Sequence, residues 1–236
     1  MNDESPTVFI IDPDESTRGA VGATASTMNL RHRGFASGYE FFGALTRSEP
    51  GCLVLEVKVA DMSGLQIQRR LARLGATLPL IFLTSENDVS LAVELLRGGA
   101  VHYLQKPMRP LELMNALQEA LALDRARRKS QQRRQRLMER LALLTLKQRE
   151  VLRMIAEGKT TRTMAAALGV SPRTIELRRS SLIKKLGLKT PASLLRFALV
   201  AYRTQKRYLK GSHLPTSAPL LVPAALRDTA ASQAGA

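Results

Sequence analysis

Four polar side chains stand where apolar runs stop. Asp12 follows Val8-Phe9-Ile10-Ile11, Glu56 follows Cys52-Leu53-Val54-Leu55, Thr84 closes a run that begins at Leu78, and Lys106 comes just after Val101-His102-Tyr103-Leu104. Brought together, two carboxylates, a hydroxyl and an amine make a polar pocket in which the ammonium pairs with the acids through charge-assisted hydrogen bonds. A second set lies between residues 172 and 186, where Arg173, Glu176, Leu177, Ser180 and Lys184 share one face of a helix and Ile175, Leu182, Ile183 and Leu186 share the other. Arg173, Thr174 and free backbone N–H groups at the helix start can hold phosphate oxygens. Glu176 can accept from a cytosine amino group and Leu177 can touch a thymine methyl, while Arg178, Arg179 and Lys185 add sequence-independent attraction.

The elements that must position these residues alternate over the first 120 positions. Strand-like runs at 7–11, 35–36, 52–56, 78–83 and 101–104 are separated by helix-like runs at 15–29, 38–46, 64–74 and 88–98. Strands buried on both faces and separated by helices imply a doubly wound parallel sheet, with its binding crevice at the carboxyl ends of the strands. Those ends carry Asp12, Glu56, Thr84 and Lys106. From Pro110 a helical stripe of Leu111, Met114, Leu117 and Leu121 runs on into a cation-rich stretch with no glycine or proline to stop it. Thr145 and Gln148 have the spacing of a capping box. Further helices are expected at about 146–157, 161–168, 172–186 and 191–208, with Ser171-Pro172 and Thr190-Pro191 as start signals and Gly158, Gly169 and Gly187 as stops. The expected domains are therefore 5–122, a basic helical linker at 123–142, a helical domain at 143–209 and a disordered tail at 210–236.

Charge divides the chain in the same place. The 236 residues carry a formal +16, but residues 1–120 hold 11 Lys and Arg against 14 Asp and Glu, a net of −3, whereas residues 121–236 hold 25 against 6, a net of +19. The second half is built to meet a polyanion, and nucleic-acid phosphates fit it better than a membrane because no basic face is joined to an exposed apolar stripe. No run of 18 apolar residues and no basic leader is visible, so a bacterial cytoplasmic protein without membrane contact is expected. The single cysteine, Cys52, reads as a small core residue. His32, His102 and His213 form no nucleophile pattern, and no enzyme is expected.

Residues 144–187, LTLKQREVLRMIAEGKTTRTMAAALGVSPRTIELRRSSLIKKLG, resemble the LuxR-type four-helix DNA-binding domain. The likeness rests on the opening Leu-Thr, residues 149–152, Glu157-Gly158, Leu168-Gly169-Val170-Ser171, Arg173-Thr174-Ile175 and Lys185-Leu186-Gly187. With Asp12, Thr84 and Lys106-Pro107 at the strand ends, the whole chain resembles response regulators of the FixJ and NarL type. That resemblance implies a flavodoxin-like, five-stranded α/β receiver followed by an all-α helix-turn-helix domain. It implies double-stranded DNA as partner and a homodimer formed through the receiver and the final helix, 191–208. A sensor kinase and RNA polymerase are further candidate partners.

A receiver of that family uses an acid pair after the first strand, an aspartate after the third, a hydroxyl after the fourth and a lysine after the fifth, with Mg²⁺ between the acids. Thr84, Lys106 and the switch aromatic Tyr103 match. Glu56 stands at the aspartate position, about 1.5 Å longer, and Pro13 at the second acid, with Asp14 displaced by one. Two usual metal ligands are replaced, so no cofactor is expected. Glu56 can pair with Lys106 where a phosphate would sit, which makes a degenerate receiver controlled independently of phosphorylation, or a decayed pocket kept for dimerisation. The alternatives are unusual phosphorylation, on Glu56 or a neighbour such as Ser85, or switching by a partner or ligand.

Overall fold

The structure is a computed structural model that describes residues 5–46, 49–85 and 88–211, and it divides into two compact units, Met1–Ser130 and Gln131–Ala236. In the first, strands β1 (Thr7–Ile11), β2 (Arg31–Phe35), β3 (Gly51–Leu55), β4 (Leu80–Thr84) and β5 (His102–Gln105) form one parallel sheet in the order β2-β1-β3-β4-β5. Helices α1 (Glu15–Thr27), α2 (Gly38–Ala44), α3 (Gly64–Arg73) and α4 (Val89–Arg97) make the crossovers. This is the flavodoxin-like order, and its topological switch point lies between β1 and β3, the strands that end at Asp12 and Glu56.

Side chains alternate across the sheet, which creates two cores. Phe9, Ile11, Leu53, Leu55 and Phe82 face α2, α3 and α4 through Phe41, Ile67, Leu71 and Leu95. Val8, Ile10, Cys52, Val54, Ile81 and Leu83 face α1 and the first part of α5 (Pro110–Ala142) through Val21, Ala25, Leu113, Leu117 and Leu121. β1, β3 and β4 are buried at every position, as their unbroken apolar sequences require. Burial pushes the Cys52 thiol up to about 12, with Asp124 adding to the shift, so this cysteine is packing.

Three differences from the sequence expectation have physical causes. β2 spans Arg31–Phe35 instead of 35–36, because it is the edge strand and its first four residues are exposed, which leaves no apolar run to read. β4 begins two residues late and includes Thr84, since backbone pairing with β5 extends to Thr84 opposite Gln105. The stretch read as a linker, 123–142, is docked at both ends. Asp124 accepts from the Gly51 N–H at 3.1 Å and from Arg128 at 2.7 Å, Arg128 donates to the Glu49 carbonyl, and Arg127 donates to the Thr77 carbonyl at 3.3 Å. Leu137 and Leu141 belong to the core of the second unit.

That second core also takes Val151, Leu152 and Ile155 from α6 (Leu146–Ala156), Met164 from α7 (Thr161–Leu168), Ile175 and Leu182 from α8 (Pro172–Lys185), and Leu194, Ala198 and Ala201 from α9 (Pro191–Gly211). Thr145 and Gln148 close a reciprocal capping box at the start of α6. Gly169 ends α7 at φ 62°, a left-handed turn that a Cβ would strain, and Ser171 then caps α8 with Pro172 at the first helical position. The expected tail lies outside the described residues beyond Gly211. Among the described residues no helix is long and apolar enough to cross a membrane.

Of the described glycines Gly51 has the least room, since a Cβ there would sit 1.9 Å from the Thr7 carbonyl oxygen at a backbone φ of 154°. Gly51→Ala is expected to lower the stability of this unit by about 2–4 kcal/mol, as strain and a broken β1–β3 register add. A shift of the urea midpoint of the full chain, read by far-UV circular dichroism, checks this.

Candidate functional site

The carboxyl ends of β1, β3 and β5 deliver three charges to one point. Lys106 Nζ donates to Asp12 Oδ2 at 2.6 Å and to Glu56 Oε2 at 2.7 Å. Both acids are buried, at 2% and 7% exposure, and the lysine closes over them. The remaining oxygens are occupied as well. Asp12 Oδ1 accepts from the Asp14 N–H at 2.9 Å, and Glu56 Oε1 accepts from the N–H groups of Val57 at 2.7 Å and Lys58 at 3.3 Å. Each carboxylate oxygen therefore has a donor, and the cluster carries one net negative charge. Burial alone would lower the Lys106 pKa, but the hydrogen bonds it donates to Asp12 and then Glu56 outweigh that and hold the ammonium above its ordinary value.

The other expected pocket residues are arranged differently. Thr84 is buried at the end of β4, and its carbonyl accepts from the Lys106 N–H at 2.8 Å. Tyr103 is half-buried against the core that faces α2, α3 and α4. Asp14 does not join the pocket: its exposed carboxylate caps α1, accepting from Thr17 Oγ1 at 2.8 Å and the Ser16 N–H at 3.0 Å, and those bonds lower its pKa. An aspartate just before a helix is claimed by the free N–H groups of the first turn.

Two positioning residues carry no motif. Arg18, one turn into α1, donates from Nη1 to the carbonyls of Asp12 at 2.8 Å and Pro13 at 2.9 Å, which fixes the β1–α1 loop. Asp61 reaches from the loop after β3 to the N–H groups of Gly38 and Tyr39 at the start of α2, at 3.0 and 2.8 Å. No residue pattern marks either: Asp61 bonds across 22 and 23 positions, and Arg18 meets backbone carbonyls five and six positions back that only the folded loop presents.

A divalent cation of the Mg²⁺ type needs near-octahedral oxygen ligands, usually one or two carboxylates and several waters. Here Pro13 supplies no side-chain oxygen, Arg18 holds the neighbouring carbonyls, and Lys106 is paired with both carboxylates. Among the described residues no cluster of three or more His, Cys, Asp or Glu could hold a metal. The two carboxylates at this edge of the sheet, Asp12 and Glu56, are each engaged by Lys106.

In the second unit α7, the Gly169 turn and α8 form a helix-turn-helix. Arg173, Glu176, Leu177, Ser180 and Lys184 are exposed along one face of α8, opposite buried Ile175, Leu182 and Leu186. Leu177 is 64% exposed on this otherwise polar face, as an apolar contact for a groove floor would be. Thr174 is half-buried, with its hydroxyl 2.8 Å from that of Ser171, and Arg178 is half-buried as well. Arg179 donates to Thr161 Oγ1 at 3.2 Å, so it ties α8 to α7. Lys185 reaches Gln148 Oε1 at 3.4 Å and braces α8 against α6.

A doubly wound domain with acids and a lysine at its strand ends, joined in sequence to a helix-turn-helix, defines a class of two-part DNA-binding regulators. Residues 8–118 match the family described as "Response regulator receiver domain", and residues 142–198 match "Bacterial regulatory proteins, luxR family". Transcriptional regulatory protein TdiR of Thauera aromatica is 35% identical over 82% of this chain and 85% of its own. Response regulator protein TodT of Pseudomonas putida F1 is 31% identical over 83% and 86%. The solved structure of response regulator StyR superposes with a TM-score of 0.74 at 26% identity, covering 82% of this chain and 98% of that one. The chain belongs to the FixJ/NarL-type response regulators, transcription regulators that join a receiver domain to a LuxR-type DNA-binding domain.

The charge cluster sets a pH dependence. Because Lys106 is raised, its contribution to stability is complete below the ordinary lysine pKa and is lost as pH rises through the higher folded-state value. Lys106→Met is expected to cost about 3 kcal/mol near pH 7, the lower end of the range for breaking a buried ion pair, because it strands two acids. Adding Glu56→Gln should restore part of that loss. Urea titrations of the wild type and both variants between neutral and alkaline pH check this, and the alkaline decline should be smaller in Lys106→Met.

Proposed function

We propose that this chain is a sequence-specific transcription regulator acting as a dimer, whose receiver is held by a fixed charge cluster and controlled independently of phosphorylation. The observation that carries the reading is the lysine shared between Glu56 at 2.7 Å and Asp12 at 2.6 Å. In a switching receiver, as this family's chemistry is understood, the lysine grips a phosphate newly placed on an aspartate. Here the longer Glu56 brings its own negative charge to Lys106 and secures its other oxygen with the Val57 and Lys58 N–H groups. Phosphoryl transfer depends on alignment and on charge neutralisation by metal, and this pocket offers Glu56 a different register and Asp12 no acidic neighbour at position 13.

Dimerisation on this reading uses an exposed apolar stripe on α4 and exposed apolar positions on α9. Val89, Val93 and Leu96 are 74%, 41% and 44% exposed at i, i+4 and i+7 of α4, and Leu195 and Val200 are 43% and 55% exposed on α9. Pairing raises the effective concentration of two α8 helices at adjacent half-sites, so affinity grows without a new base contact. Duplex DNA and a second copy of the chain are then its main partners, with RNA polymerase the machinery a DNA-bound regulator addresses. A sensor kinase is a further candidate partner, through the receiver domain.

Two experiments test this. Genomic fragments captured in chelator, with no phosphodonor, by unmodified full-length protein should share a two-fold-related site, and Glu56→Ala should lose it. Equal selection by both proteins would leave Glu56 without a role, and selection by neither would mean that an input is required. In α8, Glu176→Gln should relax discrimination at one base pair of each half-site by about 1–3 kcal/mol while leaving the others unchanged, as read by competition binding to single-substituted duplexes.

A further inference from the structure

Between Asp124 and Glu139 the chain has no acidic residue and seven cations: Arg125, Arg127, Arg128, Lys129, Arg133, Arg134 and Arg136. The part of this stretch that belongs to the second unit is Gln131-Gln132-Arg133-Arg134-Gln135-Arg136, and every one of its residues is exposed. Directly after it the helix is anchored. Leu137 and Leu141 are buried at 8% and 2% in the core that carries Ile175 and Leu182 of α8. Arg140 donates to the carbonyl of Leu186, the residue that caps α8, and lies 4.7 Å over the Phe197 ring.

A solvated helix kept only for solubility usually mixes signs, because i,i+3 and i,i+4 pairs of opposite charge stabilise it and like pairs cost a few tenths of a kcal/mol each. This one does the reverse. Arg133 and Arg136 are i,i+3 neighbours, and among the described residues neither has an ion pair. Glu139, the nearest acid in sequence, accepts from Gln135 Nε2 at 3.1 Å. Arg133 and Arg136 are therefore open to anions from outside the chain. Arginine forks and glutamine amides match phosphate oxygens, and residues 131–136 contain no apolar side chain that would suit a membrane or a dry protein interface.

We infer that residues 131–136 of α5 are a second DNA-contacting surface, which grips the phosphate backbone of the same duplex beside the site read by α8. The inference rests on the second unit binding DNA and extends that contact to a segment before the helix-turn-helix domain. The segment reads no bases, so it adds affinity equally to every sequence.

The test is equilibrium binding of the full-length chain to a selected duplex and to its scrambled counterpart, from about 50 to 200 mM salt. Each phosphate neutralised contributes roughly 0.9 to the slope of log affinity against log salt. R133Q/R134Q/R136Q is expected to reduce that slope by about 2–3 on both duplexes while the ratio between them stays constant. R133K/R134K/R136K should keep the wild-type slope, which separates charge from packing. Removing the duplex flanks should abolish the difference between wild type and the glutamine variant. An unchanged slope in the glutamine variant, with specific binding intact, overturns this inference and leaves the DNA-binding reading standing. A wild type that does not discriminate the two duplexes overturns the reading itself.

Discussion

The first unit is organised around one ammonium placed between two buried carboxylates. Lys106, Asp12 and Glu56 lie far apart in sequence, yet Nζ is 2.6 and 2.7 Å from its two partners. Two acids at this depth would repel each other and lose their hydration, a cost of several kcal/mol per ion that only a shared cation and full hydrogen bonding can offset. The fold meets that demand. Parallel strands put all carboxyl ends on one edge of the sheet, the β1/β3 switch point puts the two acids side by side, and β5 returns the lysine to them. Loop groups finish the arrangement, with the Asp14, Val57 and Lys58 N–H groups on the free oxygens and Arg18 on the carbonyls next to Asp12.

The glutamate explains why the cluster is complete in itself. An aspartate at position 56 would carry its oxygens about one bond length closer to the backbone. Glu56 spans the difference: Oε1 turns back to its own following N–H groups while Oε2 extends to Lys106. One side chain thus serves both the loop and the lysine. On the proposed reading, that dual attachment is what keeps the receiver in one state.

Much of this was legible in the sequence, for reasons that also mark the limits. β1, β3 and β4 are buried on both faces, so their apolar runs are unbroken and their ends identify Asp12, Glu56 and Thr84. β2 is an exposed edge and shows no such run, so four of its five residues were missed. Helix starts in the second unit were readable because Thr145 and Ser171 act locally on the next turn. Asp14 was misleading for the same reason: its nearest donors are the N–H groups of α1, and local capping took it from the pocket. Asp61 and the Asp124–Arg128 pair hold together segments far apart in the chain, while Arg18 ties α1 to the backbone carbonyls of the loop just before it, and no spacing rule reports such contacts. The 123–142 stretch looked like a linker because its charges dominate the composition, while the few residues that anchor it, such as Asp124 and Leu137, are outnumbered.

The opposite charges of the two halves have a consequence for control. On the proposed reading the receiver has no phosphate to gain, so its contribution to DNA binding is the pairing it provides, and that contribution is set by protein concentration instead of by chemistry in the pocket. A basic surface that binds every sequence equally would by itself spread the protein over nonspecific sites. Pairing corrects this. Only a site with two correctly spaced half-sites engages both α8 helices at once, so the advantage of dimerisation is confined to such sites while the backbone attraction of the basic surface is common to all. Affinity from charge and selectivity from two-fold geometry are then separate terms, carried by different residues, and neither requires the carboxylate–lysine cluster to change state.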